Sequence, residues 1–362
     1  MDTETCPECG VPRFITTEHS WLDSGTIVQS GNGKVRPFFI ESANLDPLFN
    51  GVEQIIGAPI RPIVIITKRR AIRGYIDNIL DDETQDMLKR REIDWQPVND
   101  KLRLVARLAG MGRYEVAEFR YEGDGADFIT ETISDPPSIP YACGTMAAAF
   151  EALFGRELDV TYRVLSPQLL EMTCYPKNHP RQFKGKMNMP SYNHRDGGLD
   201  LERCATCGGP AVLSDYRWYL DKGIIVNRYT GRRMAILGPE ANAIVEELEK
   251  EHGEMVHRAV VEAQRRFVRT GFYSMEDMGD EDDMRKQLAL RGLGELKEMK
   301  MGQRGFRLRL NNAGLHLIMV GLAQGLFETA FGTESTAQWE LSAEGDLEVE
   351  VTPRNAQETV NF

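Results

Sequence analysis

The chain has 362 residues, 41% of them hydrophobic and 27% charged, which is the composition of a globular protein long enough for two or three ordinary domains. Its 43 basic residues against 55 acidic ones leave a formal charge of −12, and this works against general affinity for nucleic-acid phosphates or anionic membrane surfaces. No apolar run reaches the ~18 to 20 residues of a membrane span, and the first residues lack the basic-then-apolar order of a signal peptide, so the expectation is a cytoplasmic protein without a membrane partner.

The chain opens on Cys6-Pro7-Glu8-Cys9-Gly10. A C-x-x-C-G turn aims two thiolates at one point, and the glycine lets the backbone behind them turn toward sulfur. Next, Trp21 to Val28 and Val35 to Ile40 are β-rich and separated by Gly31-Asn32-Gly33, which predicts a hairpin. Leu45, Leu48, Phe49, Val52, Ile55 and Ile56 fall at helical spacing, with Asn44 as the expected N-cap. A second helix from about Pro62 carries Lys68-Arg69-Arg70 and Arg73. After the Gly110-x-Gly112 turn come two strand segments, a small-residue helix from Gly144 to Phe154, and two closing strands in which Leu170, Met172 and Cys174 alternate.

The same order then recurs. Cys6, Cys9, Gly10, Leu22, Asp23 and Gly25 have counterparts 198 residues on, in Cys204, Cys207, Gly208, Leu220, Asp221 and Gly223. Arg69, Arg70 and Arg73 meet Arg265, Arg266 and Arg269 at a shift of 196, and Gly144, Phe150, Glu151 and Phe154 meet Gly321, Phe327, Glu328 and Phe331 at a shift of 177. The expectation is an α+β fold built twice, with two halves related by a pseudo-two-fold. The first repeat covers 1–183, a polar linker 184–200, the second repeat 201–353 and a tail 354–362.

Neither cysteine pair completes a tetrahedral site alone, so Cys6, Cys9, Cys204 and Cys207 are expected to share one structural zinc. Two separate incomplete sites, or an iron-sulfur cluster or redox dithiol, are the alternatives. Arg69 and Arg73, with Arg265 and Arg269, place guanidiniums four residues apart on a helix face and could grip a carboxylate or phosphate; the alternative is a solvated face paired with acidic loops such as 276–283. The Gly-x-Gly turns lack the third glycine and the acidic residue of a dinucleotide site, and no Ser-His-Asp order or nucleophile elbow is present, so no catalytic residues are assigned.

The runs Ala109-Gly110-Met111-Gly112 and Arg291-Gly292-Leu293-Gly294 each lead through two strands to the glycine-led helix, to Phe154-Gly155 or Phe331-Gly332, and to a closing hairpin. On these motifs, about 104–176 and 288–353 resemble the vinyl-4-reductase domain family. The resemblance implies small-molecule sensing, as in activators that respond to aromatic compounds, or a part in a bacteriochlorophyll pathway. Many members carry a cysteine cluster near the helix and hairpin; here only Cys143 and Cys174 lie there, opposite Val320 and Val351, so both read as core residues. The expected function is binding of an apolar or aromatic ligand, optionally bearing an acidic group, near Tyr114, Met146, Phe150 and Tyr162, by a sensor, carrier or accessory protein that reports to a partner protein. A reductase or lyase acting on a cyclic or conjugated substrate, and an assembly adaptor, are the rival readings.

Overall fold

The computed structural model describes residues 4–187, 191–273 and 279–354. It is a mixed helix-and-sheet fold with four small antiparallel sheets. No helix among the described residues is long and apolar enough to cross a membrane.

A short helix α1 (Arg13–Glu18) follows the first cysteine turn and leads into β1 (His19–Trp21) and β2 (Ile27–Gln29). These two strands pair with each other around Gly25, and Gln29 then turns back on Asn32 and Val35. The hairpin expected around Gly31-Asn32-Gly33 therefore does not form. Its second arm, β3 (Phe38–Glu41), instead pairs with β10 (Arg233–Leu237), with Phe39 opposite Ile236 and Ile40 opposite Ala235. Phe38, Phe39 and Ile40 are all buried, so this strand must be covered on both faces, which a solvent-side hairpin could not provide. With β8 (Tyr216–Tyr219) and β9 (Ile224–Asn227) they make a sheet ordered β3-β10-β9-β8.

Helix α2 (Leu45–Ile56) has the predicted extent and ends on Gly57 in the left-handed conformation. Asn44 does not cap it: a 3₁₀ turn over Ser42–Asn44 runs into the helix, and the Asn44 side chain accepts no cap hydrogen bond. Pro62 lies in the first turn of α3 (Arg61–Ile79), where its missing N–H is harmless. Helices α4 (Asp82–Lys89) and α5 (Gln96–Leu108) lead to β4 (Arg113–Arg120), β5 (Phe128–Ser134), α6 (Ile139–Phe154), β6 (Leu158–Ser166) and β7 (Leu169–Pro176). Beyond the segment over 184–200 and strands β8 to β10 come α7 (Glu240–His252), α8 (Met255–Phe267), α9 (Glu281–Leu290), β11 (Glu295–Gly302), β12 (Gly305–Asn311), α10 (His316–Phe331), β13 (Ser335–Leu341) and β14 (Leu347–Pro353).

The sheets β4-β5-β7-β6 and β11-β12-β14-β13 have the same strand order, and in each a 16-residue helix joins the second strand to the third. Both first strands carry a register shift, between Val116 and Glu118 and, nearer the strand start, between Leu296 and Glu298. Helix α6 is buried on nearly every side because the sheet covers one face and α3 the other. The second contact is close: a Cβ on Gly144 would lie 2.7 Å from the Ile65 carbonyl and from Lys68 Cβ. A Cβ on Gly321 of α10 would likewise lie 2.4 Å from the Val261 carbonyl of α8. Helix α3 also packs on α7, and α2 on α8, so the two parts of the chain are packed into one another. A large apolar core spans the inner faces of the β4-β5-β7-β6 and β11-β12-β14-β13 sheets, and a second cluster gathers Ile15, Trp21, Leu108, Tyr216 and Trp218 behind the cysteines.

Candidate metal centre and ligand cavity

The two C-x-x-C turns are built alike. The N–H of Cys6 donates to the Val11 carbonyl and that of Gly10 to the Cys6 carbonyl; the N–H of Cys204 donates to Gly209 and that of Gly208 to Cys204, all at 2.8–2.9 Å. Gly10 and Gly208 sit at φ +74° and +72°, a conformation that a Cβ would strain. The turns face each other, and the four sulfurs all lie within 4.8 Å of one another. Cys6 Sγ is 3.7 Å from Cys204 Sγ, and Cys9 Sγ is 3.5 Å from Cys207 Sγ. A tetrahedron with metal–sulfur bonds of ~2.3 Å has edges of ~3.8 Å. The group can therefore hold a metal ion.

Electrostatics favours the same occupant. The Cys9 backbone N–H, directed at Cys6, brings the Cys6 thiol down to about 7. Cys9 is pushed up, chiefly by burial. Cys204 accepts from the Cys207 N–H, which lowers it, yet burial and the neighbouring thiols carry it above its ordinary value. Four sulfurs this close cannot all ionise without a cation between them, and a metal supplies it. Glu8, between Cys6 and Cys9, reaches across and accepts from the Thr206 N–H at 3.1 Å and the Thr206 hydroxyl at 2.7 Å, which ties one turn to the other. These contacts hold the Glu8 carboxyl below its usual range.

The arginines do not converge on an open anion site. Arg69 is buried and donates to Glu151 of α6 at 2.7 Å and to the Phe183 carbonyl at 2.5 Å. Arg73 pairs with Asp77 at 3.0 Å. Arg265 pairs with Glu262 at 2.7 Å and Glu328 at 2.5 Å, and Arg269 reaches Glu328 at 3.4 Å. Their partners are carboxylates of their own helices and of the glycine-led helices, and the pairs Arg69–Glu151 and Arg265–Glu328 tie one helix to another. Residues 276–278 of the acidic loop named as the alternative partner lie outside the described residues.

A cavity of about 590 Å³ lies between α1, α3, α5, α6 and the end of β10. Its walls are apolar where Ile72, Ile76, Leu102, Ala106 and Met146 line it. Polar groups converge at its inner side. Asn99 Nδ2 donates to Glu131 Oε1 at 3.3 Å; both side chains are 2% exposed. Burial pushes Glu131 up to about 7, against smaller lowering contributions from Asn99 and Arg103. Tyr114 stands beside it, raised by burial and by the Glu131 charge. On another wall, Lys68 Nζ meets Glu240 at 2.5 Å and lies 4.6 Å from the centre of the Tyr141 ring. Among the residues expected at a ligand, Tyr114 and Met146 line this cavity. Phe150 is buried against Trp95 and Phe154 instead, and Tyr162 lies on the edge strand β6, 37% exposed.

Sequence reasoning missed Asn99, Glu131 and Glu240. One signal was present: Glu131 interrupts the buried series Ile129, Glu131, Ile133, where the other sheet runs Phe306, Leu308, Leu310. Cys143 and Cys174 are fully buried, and burial raises both, Cys143 to about 12.

Among known proteins, no family model matches the sequence and no curated protein matches it. Solved structures that overlap part of the fold include a Cs H-NOX mutant with 4-cyano-L-phenylalanine at site 5, 15% identical with a TM-score of 0.24, covering 32% of this chain and 72% of that one. A T. tengcongensis H-NOX mutant is 14% identical with a TM-score of 0.23, covering 32% of this chain and 73% of that one. Agreement at this level carries no argument about the site.

Proposed function

We propose that the chain is a small-molecule-binding protein, a duplicated fold clamped by one structural zinc, and that its ligand occupies the cavity at Tyr114 and Met146. The observation that carries this reading is the cavity itself. Its volume, its apolar walls and its few convergent polar groups are those of a site for an apolar or aromatic molecule with one polar end.

Zinc is the metal of choice because four thiolates from two C-x-x-C turns form a closed tetrahedral set, which suits an ion that holds structure rather than one that needs an open position. Duplication and a pseudo-two-fold are supported by contacts that recur reciprocally. Gly112 N–H donates to Gly223 at 2.9 Å while Gly294 N–H donates to Gly25 at 3.0 Å, and the Trp218 indole donates to the Leu108 carbonyl while the Trp21 indole donates to Leu290. The register of β3 on β10, with Phe39–Ile236 and Ile40–Ala235 as its middle pairs, is unchanged when the two strands are exchanged at a shift of 196. The vinyl-4-reductase-like reading of 104–176 and 288–353 belongs to this proposal and draws on the shared order of Gly-x-Gly turn, two strands, helix and hairpin. Six cysteines held as free thiols are in keeping with a reducing cytoplasm.

A second reading, an enzyme moving a proton on a conjugated substrate, has one observation in its favour. Glu131, raised to about 7 on a cavity wall, has the properties of a general acid or base. Two measurements test these readings. Elemental analysis of protein purified without added metal should return one zinc per chain and a featureless visible spectrum; iron with visible absorbance would replace the zinc clamp by a redox centre. Fluorescence of the apolar dye 8-anilinonaphthalene-1-sulfonate should rise on binding, and Met146→Trp, which fills the cavity, should abolish the rise. An unchanged rise in Met146→Trp would remove the cavity from the proposal.

A further inference from the structure

Seven carboxylates are buried among the described residues: Glu41, Asp127, Glu131, Glu151, Glu240, Glu295 and Glu328. Six of them meet a cation of the chain. Glu41 pairs with Arg291 at 2.6 Å, Asp127 with Arg120 at 3.2 Å, Glu151 with Arg69 at 2.7 Å, Glu240 with Lys68 at 2.5 Å, Glu295 with Lys297 at 2.8 Å and Glu328 with Arg265 at 2.5 Å. This is the ordinary rule for charge removed from water. Glu131 is the exception: no cation among the described residues lies within 4.0 Å of it, and the hydrogen bond it accepts comes from the neutral Asn99 at 3.3 Å. It is also one of the two buried acids that line the cavity, and the other, Glu240, is already paired with Lys68.

We infer that the cavity takes a ligand carrying a cationic nitrogen, an ammonium or amidinium on an apolar body, and that this nitrogen completes the ion pair at Glu131. The inference rests on the cavity being a ligand site, as proposed above, and names the chemistry of its polar end. The apolar part of the wall fits such a molecule. Ile72, Ile76, Leu102 and Met146 take the apolar body, and the Lys68–Glu240 pair, closed on itself, adds no net charge. An acid-bearing ligand would instead set its carboxylate beside the Glu131 carboxyl, which is repulsive unless a proton is held between them.

In the empty cavity the proton takes the place of the cation, so the two compete. Other groups facing Glu131 do not titrate in its range. Arg103 on α5 faces it as a guanidinium, a permanent cation, while Tyr114 on β4, Cys143 on α6 and Cys174 on β7 are all pushed up by burial and stay neutral at pH 6 to 8.

The probes are 4-phenylbutylamine, its neutral analogue 4-phenylbutan-1-ol and the acid 4-phenylbutyrate, titrated calorimetrically into the metal-loaded full chain. At pH 8 the amine should bind at least tenfold more tightly than the alcohol and the acid. Its affinity should rise about tenfold between pH 6 and pH 8 as Glu131 gives up its proton. Glu131→Gln, checked for folding by its melting temperature, should reduce the amine to the level of the alcohol. If the alcohol or the acid binds as tightly as the amine, or if Glu131→Gln leaves the amine unchanged, the cation site is refuted and the cavity stands as a ligand site of other chemistry. If none of the three binds at millimolar concentration, both readings fall. The amine-to-alcohol ratio and the pH profile read the claim on the unaltered chain, whatever the variant does.

Discussion

The sheet β4-β5-β7-β6 with α6 and the sheet β11-β12-β14-β13 with α10 are the same construction with different interiors. In the second, the middle buried position of the second strand is Leu308, the buried residue opening the first strand is Leu296, and the residue beneath the glycine of the long helix is Gln264. In the first sheet the corresponding places hold Glu131, Tyr114 and Lys68. The same construction thus carries a mainly apolar inner sheet face on one side and a cavity with polar groups on the other. The lesson is that a helix crossing and a strand order tolerate this exchange as long as the ion pair that ties each crossing is kept. Both crossings keep theirs, Arg69–Glu151 and Arg265–Glu328.

The largest expected effect falls on the element that joins the two regions. Cys204→Ser should lower metal content to near zero by elemental analysis and remove the binding contribution to folding, ~4 kcal/mol where free metal stands about a thousandfold above its dissociation constant. Unchanged metal and melting temperature would mean that the turns act separately. The two crossings come next. Arg69→Ala leaves Glu151 buried without its cation and should cost ~3 kcal/mol by denaturant unfolding. Arg265→Ala should cost clearly less, because Arg269 already reaches Glu328 at 3.4 Å. Equal losses would show that the two crossings are held identically.

Glu131 distinguishes the interiors by pH. Its carboxyl titrates at about 7 in the folded chain against 4.5 when exposed, so between these values the folded chain holds the extra proton. Stability contributed by this group is therefore present below pH 4.5 and lost as pH rises through 7, a difference on the order of 3 kcal/mol. Glu131→Gln should flatten that slope and leave the protein more stable than the parent at pH 8, as read by urea unfolding across pH. The smallest effect is expected outside both interiors: Tyr162→Ala, on the exposed edge of the first sheet, should change stability by less than ~0.5 kcal/mol and leave dye binding at the cavity as it was.

The helices at 45–56 and 61–79 and the alternating strands that end each region were legible because their patterns are local, a period near 3.6 or of 2. The cysteine cluster was legible for a different reason: two incomplete ligand pairs of identical spacing need each other. The β3 pairing was not, because Phe38 to Glu41 reads equally as the return arm of a hairpin and as a strand buried across the chain. Only the competition for a partner, won by Arg233 to Leu237, decides between them. The arginine rows show the same limit. Their spacing placed them on one helix face, but whether that face met an anion, water or Glu151 depended on which helix crossed it.

By itself the sequence determined what short-range chemistry dictates: the helical and strand periods, the glycine turns, and the four thiols that one metal ion can satisfy together. Tertiary structure alone decided where the cavity lies and which charges it encloses. Asn99, Glu131 and Glu240 come from three distant elements, and a carboxylate acquires an unmet need for a cation only once packing has taken it out of water.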